Sequence, residues 1–215
     1  MRRVISIVIP GAGLGSRMGL DTPKLLLEVG GLSLLERHYR MTSDIGHVAV
    51  VAGFNSAAVV QMSRAVCTGI IIVMNQNYAQ TGTAGSVKLA SKYLPAGDIL
   101  VLDGDVLFEK RAIAEAIKTG ESCLGVGPVR SREPVFAHLS SDGRYVTELT
   151  QERVSEFEWS GLAILSQDEI TTYGDQHMFS SINNALPKRA IRVEWHEIDY
   201  PEDYSLAENW ILEHG

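Results

Sequence analysis

The sequence predicts an α/β fold: a doubly wound, mostly parallel sheet with an antiparallel hairpin or lid subdomain toward the C-terminal end. Three observations predict it. Apolar runs alternate with helical patterns up to residue 120, the order that winds helices over both faces of a parallel sheet. The first run (Val4, Ile5, Ile7, Val8 and Ile9) is β-branched and apolar, as in a strand buried on both faces. It stops at Pro10 and opens into Gly11, Gly13 and Gly15, at the strand end where open α/β sheets bind ligands. This is a Rossmann-like arrangement.

The remaining elements come in order along the chain. Residues 32–41 read as a short helix, with Ser33 near its start and Leu34, Leu35 and His38 at helical spacing; His38 is a surface or packing residue. A second strand spans 48–52, and a helix capped by Asn55 or Ser56 spans 55–66. A third strand spans 70–74, and a helix stopped by Pro95 spans 83–94. A fourth strand covers 98–102, and Gly120 ends a helix over 109–119. After Glu121 the pattern becomes strands at 123–126, 135–139, 145–149 and 159–165, with a turn at Ser141-Asp142-Gly143. Helices at 167–173 and 175–185, a strand at 192–196 and a helix at 201–213 with Pro201 in its first turn complete the chain.

A length of 215 residues suits one large domain or a domain with a small subdomain. The net charge of −7 argues against a nucleic-acid surface, and no apolar run approaches the ~20 residues that span a bilayer. Cys67 and Cys123 are far apart in apolar surroundings and read as reduced core thiols, which suits the cytoplasm. Met1-Arg2-Arg3 before an apolar run mimics a signal peptide, but the run is too short and leads into glycines rather than a cleavage site.

The glycine loop carries the first chemistry. Without a Cβ, glycines let backbone N–H groups approach a ligand, and successive N–H groups form an anion-binding concavity. Arg17 and Lys24 beside them supply what a polyphosphate needs. The string lacks the Gly-Lys-Ser/Thr of a Walker loop. It also departs from the dinucleotide fingerprint: the third glycine comes one residue early, Ser16 stands where Gly or Ala is wanted, and the second strand ends in Ala52-Gly53-Phe54 without a carboxylate. A hydride-transferring enzyme is therefore disfavoured.

The second constellation is Leu102-Asp103-Gly104-Asp105-Val106, where an apolar strand ends in two carboxylates two residues apart. In extended backbone they face the same side. Such a pair calls for solvent, a cation or both, and oxygen ligands beside a phosphate substrate suit Mg²⁺. An acidic turn is the bland alternative, since Asp-Gly is a common turn dipeptide. Trp159, with Glu156 and Glu158 nearby, suits either a cationic ammonium group or an ordinary core position on its strand.

The string Gly11-Ala12-Gly13-Leu14-Gly15-Ser16-Arg17-Met18 with Pro23-Lys24 resembles the signature of the nucleotidyltransferases that activate phosphorylated sugars and alcohols as nucleotide diphosphates. Asn75-x-x-Tyr78 and Ser86 are similar to the small cytidylyltransferases that activate phosphocholine or phosphonates. Gly82-Thr83-Ala84 is similar to the base-reading segment of sugar-1-phosphate uridylyl- and thymidylyltransferases. Ile198-Asp199-Tyr200-Pro201-Glu202-Asp203 resembles the family's late I-D-x-P-E-D segment, in which the aspartate is a second metal ligand; Asp199 is the matching position, and an N-terminal helix cap is the plain alternative. The short chain and Gly104-Asp105-Val106-Leu107-Phe108 favour the phosphocholine/phosphonate branch. One departure leaves the acceptor open: that branch often carries a lysine after its Asp-Gly-Arg hairpin, where this chain has Thr150-Gln151.

The resemblance implies one nucleotidyltransferase unit over residues 1–215, with a nucleotide-binding half (1–120), an acceptor-binding half (121–200) and a terminal helix (201–215). It implies catalytic roles for Lys24 and Arg17, and nucleotide contacts at Gly11, Ala12, Gly13, Gly15, Ser16, Asn75, Gln80, Thr81, Gly82, Thr83, Ser86 and Asp103. Mg²⁺ on Asp105 and Asp199 and an acceptor contact at Trp159 complete the implied site. The expected partners are a nucleoside triphosphate, CTP first, and a small phosphorylated or phosphonate acceptor. Neither nucleic acid nor a membrane is expected, and a homodimer is compatible with the chain. A sugar-1-phosphate uridylyl- or thymidylyltransferase is the alternative, and a nucleotide-binding module without catalysis is a third reading. No general base is needed, because the attacking phosphate oxygen is already ionised.

Overall fold

The computed structural model describes residues 4–13 and 22–214. Gly15, Ser16 and Arg17 of the expected site lie outside the described residues.

The chain begins with β1 (Ile5–Gly11), a short 3-10 turn at Lys24–Leu26, and the two-residue strands β2 (Glu28–Val29) and β3 (Leu32–Ser33). Helix α1 (Leu34–Thr42) starts where the Ser33 side chain accepts the Glu36 N–H at 3.2 Å, a local cap that fixes the start one residue beyond Ser33. Then come β4 (Val48–Ala52), α2 (Ser56–Val66), β5 (Ile71–Met74), α3 (Thr83–Ser91), β6 (Asp98–Leu102), β7 (Val106–Phe108) and α4 (Lys110–Lys118). Asn55 holds the N-cap position of α2 in the left-handed region, at φ 42°, and its side chain makes no capping bond.

The second half holds β8 (Cys123–Pro128), β9 (Phe136–Leu139), β10 (Tyr145–Thr150), β11 (Phe157–Ser166), α5 (Gln167–Thr171), α6 (Met178–Asn183), β12 (Lys188–Arg192), β13 (Trp195–Glu197) and α7 (Pro201–His214). Two expectations are corrected here. The helix read over 175–185 forms only at Met178–Asn183, because the Asp175 and Gln176 carbonyls accept the N–H groups of Gly82 and Ala84 at 2.6 and 3.1 Å. The single strand read at 192–196 is two strands that pair with different partners, β12 with β8 and β13 with β7.

Among the described residues the main sheet has nine strands in the order β5-β4-β1-β6-β11-β8-β12-β10-β9. The four strands β5, β4, β1 and β6 run parallel. β11 joins β6 antiparallel, so the antiparallel hairpins continue the same sheet. Ile5, Ile7 and Ile9 pack with Leu34, Leu35 and Val59 on one face, while Val8 packs with Val87 and Ala90 on the other. That period-two partition is why the first run is apolar throughout. The chain leaves β1 toward β4 and β5 on one side and returns to β6 on the other. The C-terminal ends of β1 and β6 therefore flank a switch point, the crevice where such sheets take ligands.

His38 is buried in this core near the Phe108 ring, and burial pushes its pKa down to about 4. Cys67 and Cys123 are free, buried thiols. No described helix is long and apolar enough to cross a membrane.

Candidate active site

Sterics bring the two strand ends together. A Cβ on Gly104 would meet the Pro10 carbonyl oxygen at 2.6 Å, so only glycine lets the turn after β6 lie against the end of β1. Gly161 on the neighbouring β11 sits at φ +82°, and a Cβ there would meet Asp103 Oδ2 at 2.6 Å. The Asp103-Gly104-Asp105 turn is thus clamped between β1 and β11.

Long-range pairing supplies the other acids. In the antiparallel ribbon of β7 with β13, Glu197 lies opposite Val106, and the Ile198 N–H donates to the Asp105 carbonyl at 2.9 Å. This register sets Glu197 and Asp199 beside Asp105. Asp203 then fixes the approach to α7: its Oδ2 accepts the N–H groups of Asp199 at 3.0 Å and Tyr200 at 2.8 Å, the reciprocal half of a capping box.

Asp105, Glu197 and Asp199 each offer a carboxylate oxygen, all within 4.8 Å of one another. Lys24 Nζ donates to Asp105 Oδ2 at 3.0 Å and to Asp199 Oδ1. Burial alone would lower the Lys24 pKa; Asp105 and Asp199 outweigh it and hold the ammonium above its ordinary value. Burial, followed by the charges of Asp105 and Asp199, pushes Glu197 up to about 7, against partial relief from Ser131 and Lys24. Asp103 is raised well above the usual carboxylate range by burial and then by Asp105 and Glu197, and its buried Oδ1 has no hydrogen-bond partner among the described residues. One ammonium faces three clustered acids. That excess of negative charge on oxygen donors fits a hard divalent cation.

These groups open into a cavity of about 730 Å³. Gly11, Gly13, Lys24, Thr83, Asp103, Asp105, Asp199 and Trp159 line it. The Trp159 indole N–H donates to the Leu162 carbonyl at 3.0 Å, which fixes its ring plane. Other expected contacts lie off the wall. Ala12 is buried and its carbonyl accepts the Phe54 N–H at 3.1 Å. The Asn75 amide donates to Thr81 at 2.9 Å and Ser86 at 3.1 Å, while its oxygen accepts the Asn77 N–H at 3.0 Å. Gln80 receives the Gln176 side chain on its carbonyl, and the Gly82 N–H goes to Asp175. In this structure the Asn75–Ser86 network shapes its own loop.

Glu197, Arg130 and Arg132 are site residues absent from the expected set. Glu197 carries a usable signal: it stands two residues before Asp199, and extended backbone sets such a pair on one side.

The profile of the MobA-like NTP transferase domain matches residues 7–153. The chain belongs to this family. It therefore carries an NTP transferase domain of the MobA-like type, which agrees with the resemblance carried by the glycine loop. The bifunctional protein GlmU of Cereibacter sphaeroides is 34% identical over 111 residues, half of this chain and 24% of that protein. The chain thus spans about a quarter of the curated relatives it matches. Its fold is similar to the CTP:phosphocholine cytidylyltransferase of Streptococcus pneumoniae, with a TM-score of 0.72 at 18% identity over 97% of this chain and 99% of that one. It is similar also to a UDP-glucose pyrophosphorylase from Acinetobacter baumanii, with a TM-score of 0.75 at 16% identity over 98% and 94%.

Proposed function

We propose that this MobA-like protein is a Mg²⁺-dependent cytidylyltransferase that transfers CMP from CTP to a small phosphomonoester or phosphonate. The observation that carries this reading is the Lys24–Asp105–Glu197–Asp199 cluster at the mouth of the glycine loop. An ionised oxygen of the acceptor attacks the α-phosphorus. The bond from that phosphorus to the β-phosphate oxygen breaks, and its electron pair leaves with pyrophosphate.

Bringing two polyanions together is an electrostatic and positioning task. Gly11 and Gly13 shape the phosphate side, and Lys24 shifts its ammonium from the carboxylates toward the α-phosphate and leaving group as charge develops there. Arg17 joins it on the leaving pyrophosphate. Asp105, Glu197 and Asp199 would hold Mg²⁺, which when bound neutralises phosphate oxygens. Thr83, with Asn75 to Ser86 behind it, reads the base. Trp159 presents a fixed ring that suits a cationic acceptor group, the second motive for phosphocholine or a two-carbon aminophosphonate.

A sugar-1-phosphate uridylyl- or thymidylyltransferase is the second reading, favoured by Thr83 on the cavity wall within Gly82-Thr83-Ala84. The test is kcat/KM for CTP, UTP, dTTP and GTP against phosphocholine, 2-aminoethylphosphonate, 2-hydroxyethylphosphonate and glucose 1-phosphate. CTP with a small acceptor is the expected best pair. A best pair of UTP or dTTP with glucose 1-phosphate replaces the first reading with the second.

A further inference from the structure

We infer that Arg132 is an acceptor-binding residue, holding the phosphate or phosphonate dianion of the acceptor in the cavity. This rests on the nucleotidyl-transfer reading above and names a side chain that the reading does not use.

The segment between β8 and β9 overhangs the cavity with Arg130, Ser131 and Arg132 on its lining. It is anchored from below. Glu158 on β11 is 1% exposed, and its Oε1 accepts the backbone N–H of Arg130 at 2.7 Å and of Ser131 at 3.1 Å. The Ser131 side chain lies beside Glu197 and partly offsets the rise in its pKa, which sets the segment against the acid cluster. A buried carboxylate engaged by two successive loop amides holds Arg132, the next residue, in a set place.

The cations on this wall are not equivalent. Lys24 is engaged by Asp105 and Asp199. Arg130 donates to Glu194 at 2.7 Å and to the Trp195 carbonyl at 3.3 Å, with its guanidinium 5.3 Å from the Trp195 ring centre. Arg132 lies 4.1 Å from the ring centre of Tyr200, the residue after Asp199. Its ion pair with Glu202 is a 3.3 Å contact between side chains 54% and 70% exposed, the kind that contributes little. Stacking on Tyr200 orients the guanidinium plane while most of its N–H edge stays available, and a planar fork matches a phosphate bidentately. An acceptor dianion seated there has its remaining oxygen beside the Asp105–Glu197–Asp199 cluster. Glu202 is the competitor that it displaces.

The test compares wild type with Arg132→Ala, Arg132→Lys and Glu202→Gln. Steady-state KM is measured for phosphocholine, glucose 1-phosphate and CTP. In parallel, tryptophan fluorescence tracks inorganic phosphate added in Mg²⁺ with α,β-methylene-CTP present. Arg132→Ala is expected to raise the KM of the acceptor that is used, and to weaken inorganic phosphate, by roughly 10- to 100-fold. The CTP KM should stay within about twofold, the scale of a lost contact on one substrate only. Arg132→Lys should fall in between, since the point charge remains and the fork is lost, and Glu202→Gln should leave acceptor affinity equal or tighter. An Arg132→Ala protein with unchanged acceptor KM and phosphate affinity overturns the inference, as does a penalty on CTP instead. If wild type turns over no pair, the reading of function fails, while the inorganic phosphate titration still decides the role of Arg132.

Discussion

Replacing Lys24 with alanine should damage catalysis and stability together, and the size of each effect comes from the same contacts. The Lys24 side chain is 13% exposed, and its partners Asp105 and Asp199 are 29% and 12% exposed. Removing one member of a largely buried pair leaves the other side uncompensated; here three acids would remain without their ammonium. The expected cost to the metal-free protein at pH 8 is about 3 kcal/mol. For a chain of this length that is a fall in Tm of roughly 6–12 °C. Saturating Mg²⁺ should shrink the gap by supplying the missing charge, and lowering the pH to 6 should shrink it as Glu197 takes up a proton. Turnover should fall by at least ~100-fold in kcat/KM, the scale of one lost oxyanion donor. The assay is differential scanning calorimetry of wild type and variant in EDTA and in MgCl₂, with pyrophosphate release measured on the same preparations. An unchanged Tm in EDTA would refute the claim that Lys24 neutralises the acids. Near-wild-type turnover would remove it from the mechanism.

Three further outcomes concern the same cluster. Asp105→Asn and Asp199→Asn should each abolish most Mg²⁺-dependent turnover, and the double variant should be little worse than either single one, because residues that act as a unit are not additive; fully additive losses would place them in separate sites. Glu197 sits at about 7 in the folded protein against an ordinary value of 4.5, so the stability it contributes is complete below about 4.5 and is lost as the pH rises through about 7. Metal-free wild type should therefore lose Tm across that window, Mg²⁺ should bind more tightly as the pH rises through it, and Glu197→Gln should flatten both trends in calorimetry and titration; an unaltered pH profile in Glu197→Gln would contradict the assignment. Asp203→Ala should cost about 1 kcal/mol as a lost helix cap and lower turnover further by loosening Asp199, with Asp203→Asn restoring part of both in paired denaturation and rate measurements; a variant of wild-type Tm and rate would show that the Asp199 and Tyr200 amides need no such partner.

What the sequence discloses about this site divides along contact range. The β1 run, the glycines after it and the Asp103-Gly104-Asp105 turn are local strings, and each is legible because strand, close approach and charge come from neighbouring residues. Asp199 is legible through the family resemblance, and Ser33 as a helix start through local chemistry alone. Glu197 leaves only the local trace of its spacing from Asp199, and Arg132 leaves none, since their positions depend on the β7–β13 ribbon and on the Glu158 anchor, pairings between residues far apart in the chain. The helix expected from 175 loses its first turn for a similar reason: the carbonyls of Asp175 and Gln176 are taken by the start of α3. Asn75 is tied by local chemistry: its hydrogen bonds to Asn77, Thr81 and Ser86 order the loop between β5 and α3.

The measurement that bears most directly on the central claim is ³¹P NMR of the purified protein with CTP, phosphocholine and Mg²⁺. The expected result is a coupled pair of pyrophosphate-diester resonances from a CMP–phosphocholine adduct, appearing in step with free pyrophosphate and absent in Asp105→Asn. Orthophosphate as the sole product, or no change in the CTP resonances with this or any other acceptor and nucleotide of the panel, would contradict nucleotidyl transfer at this site.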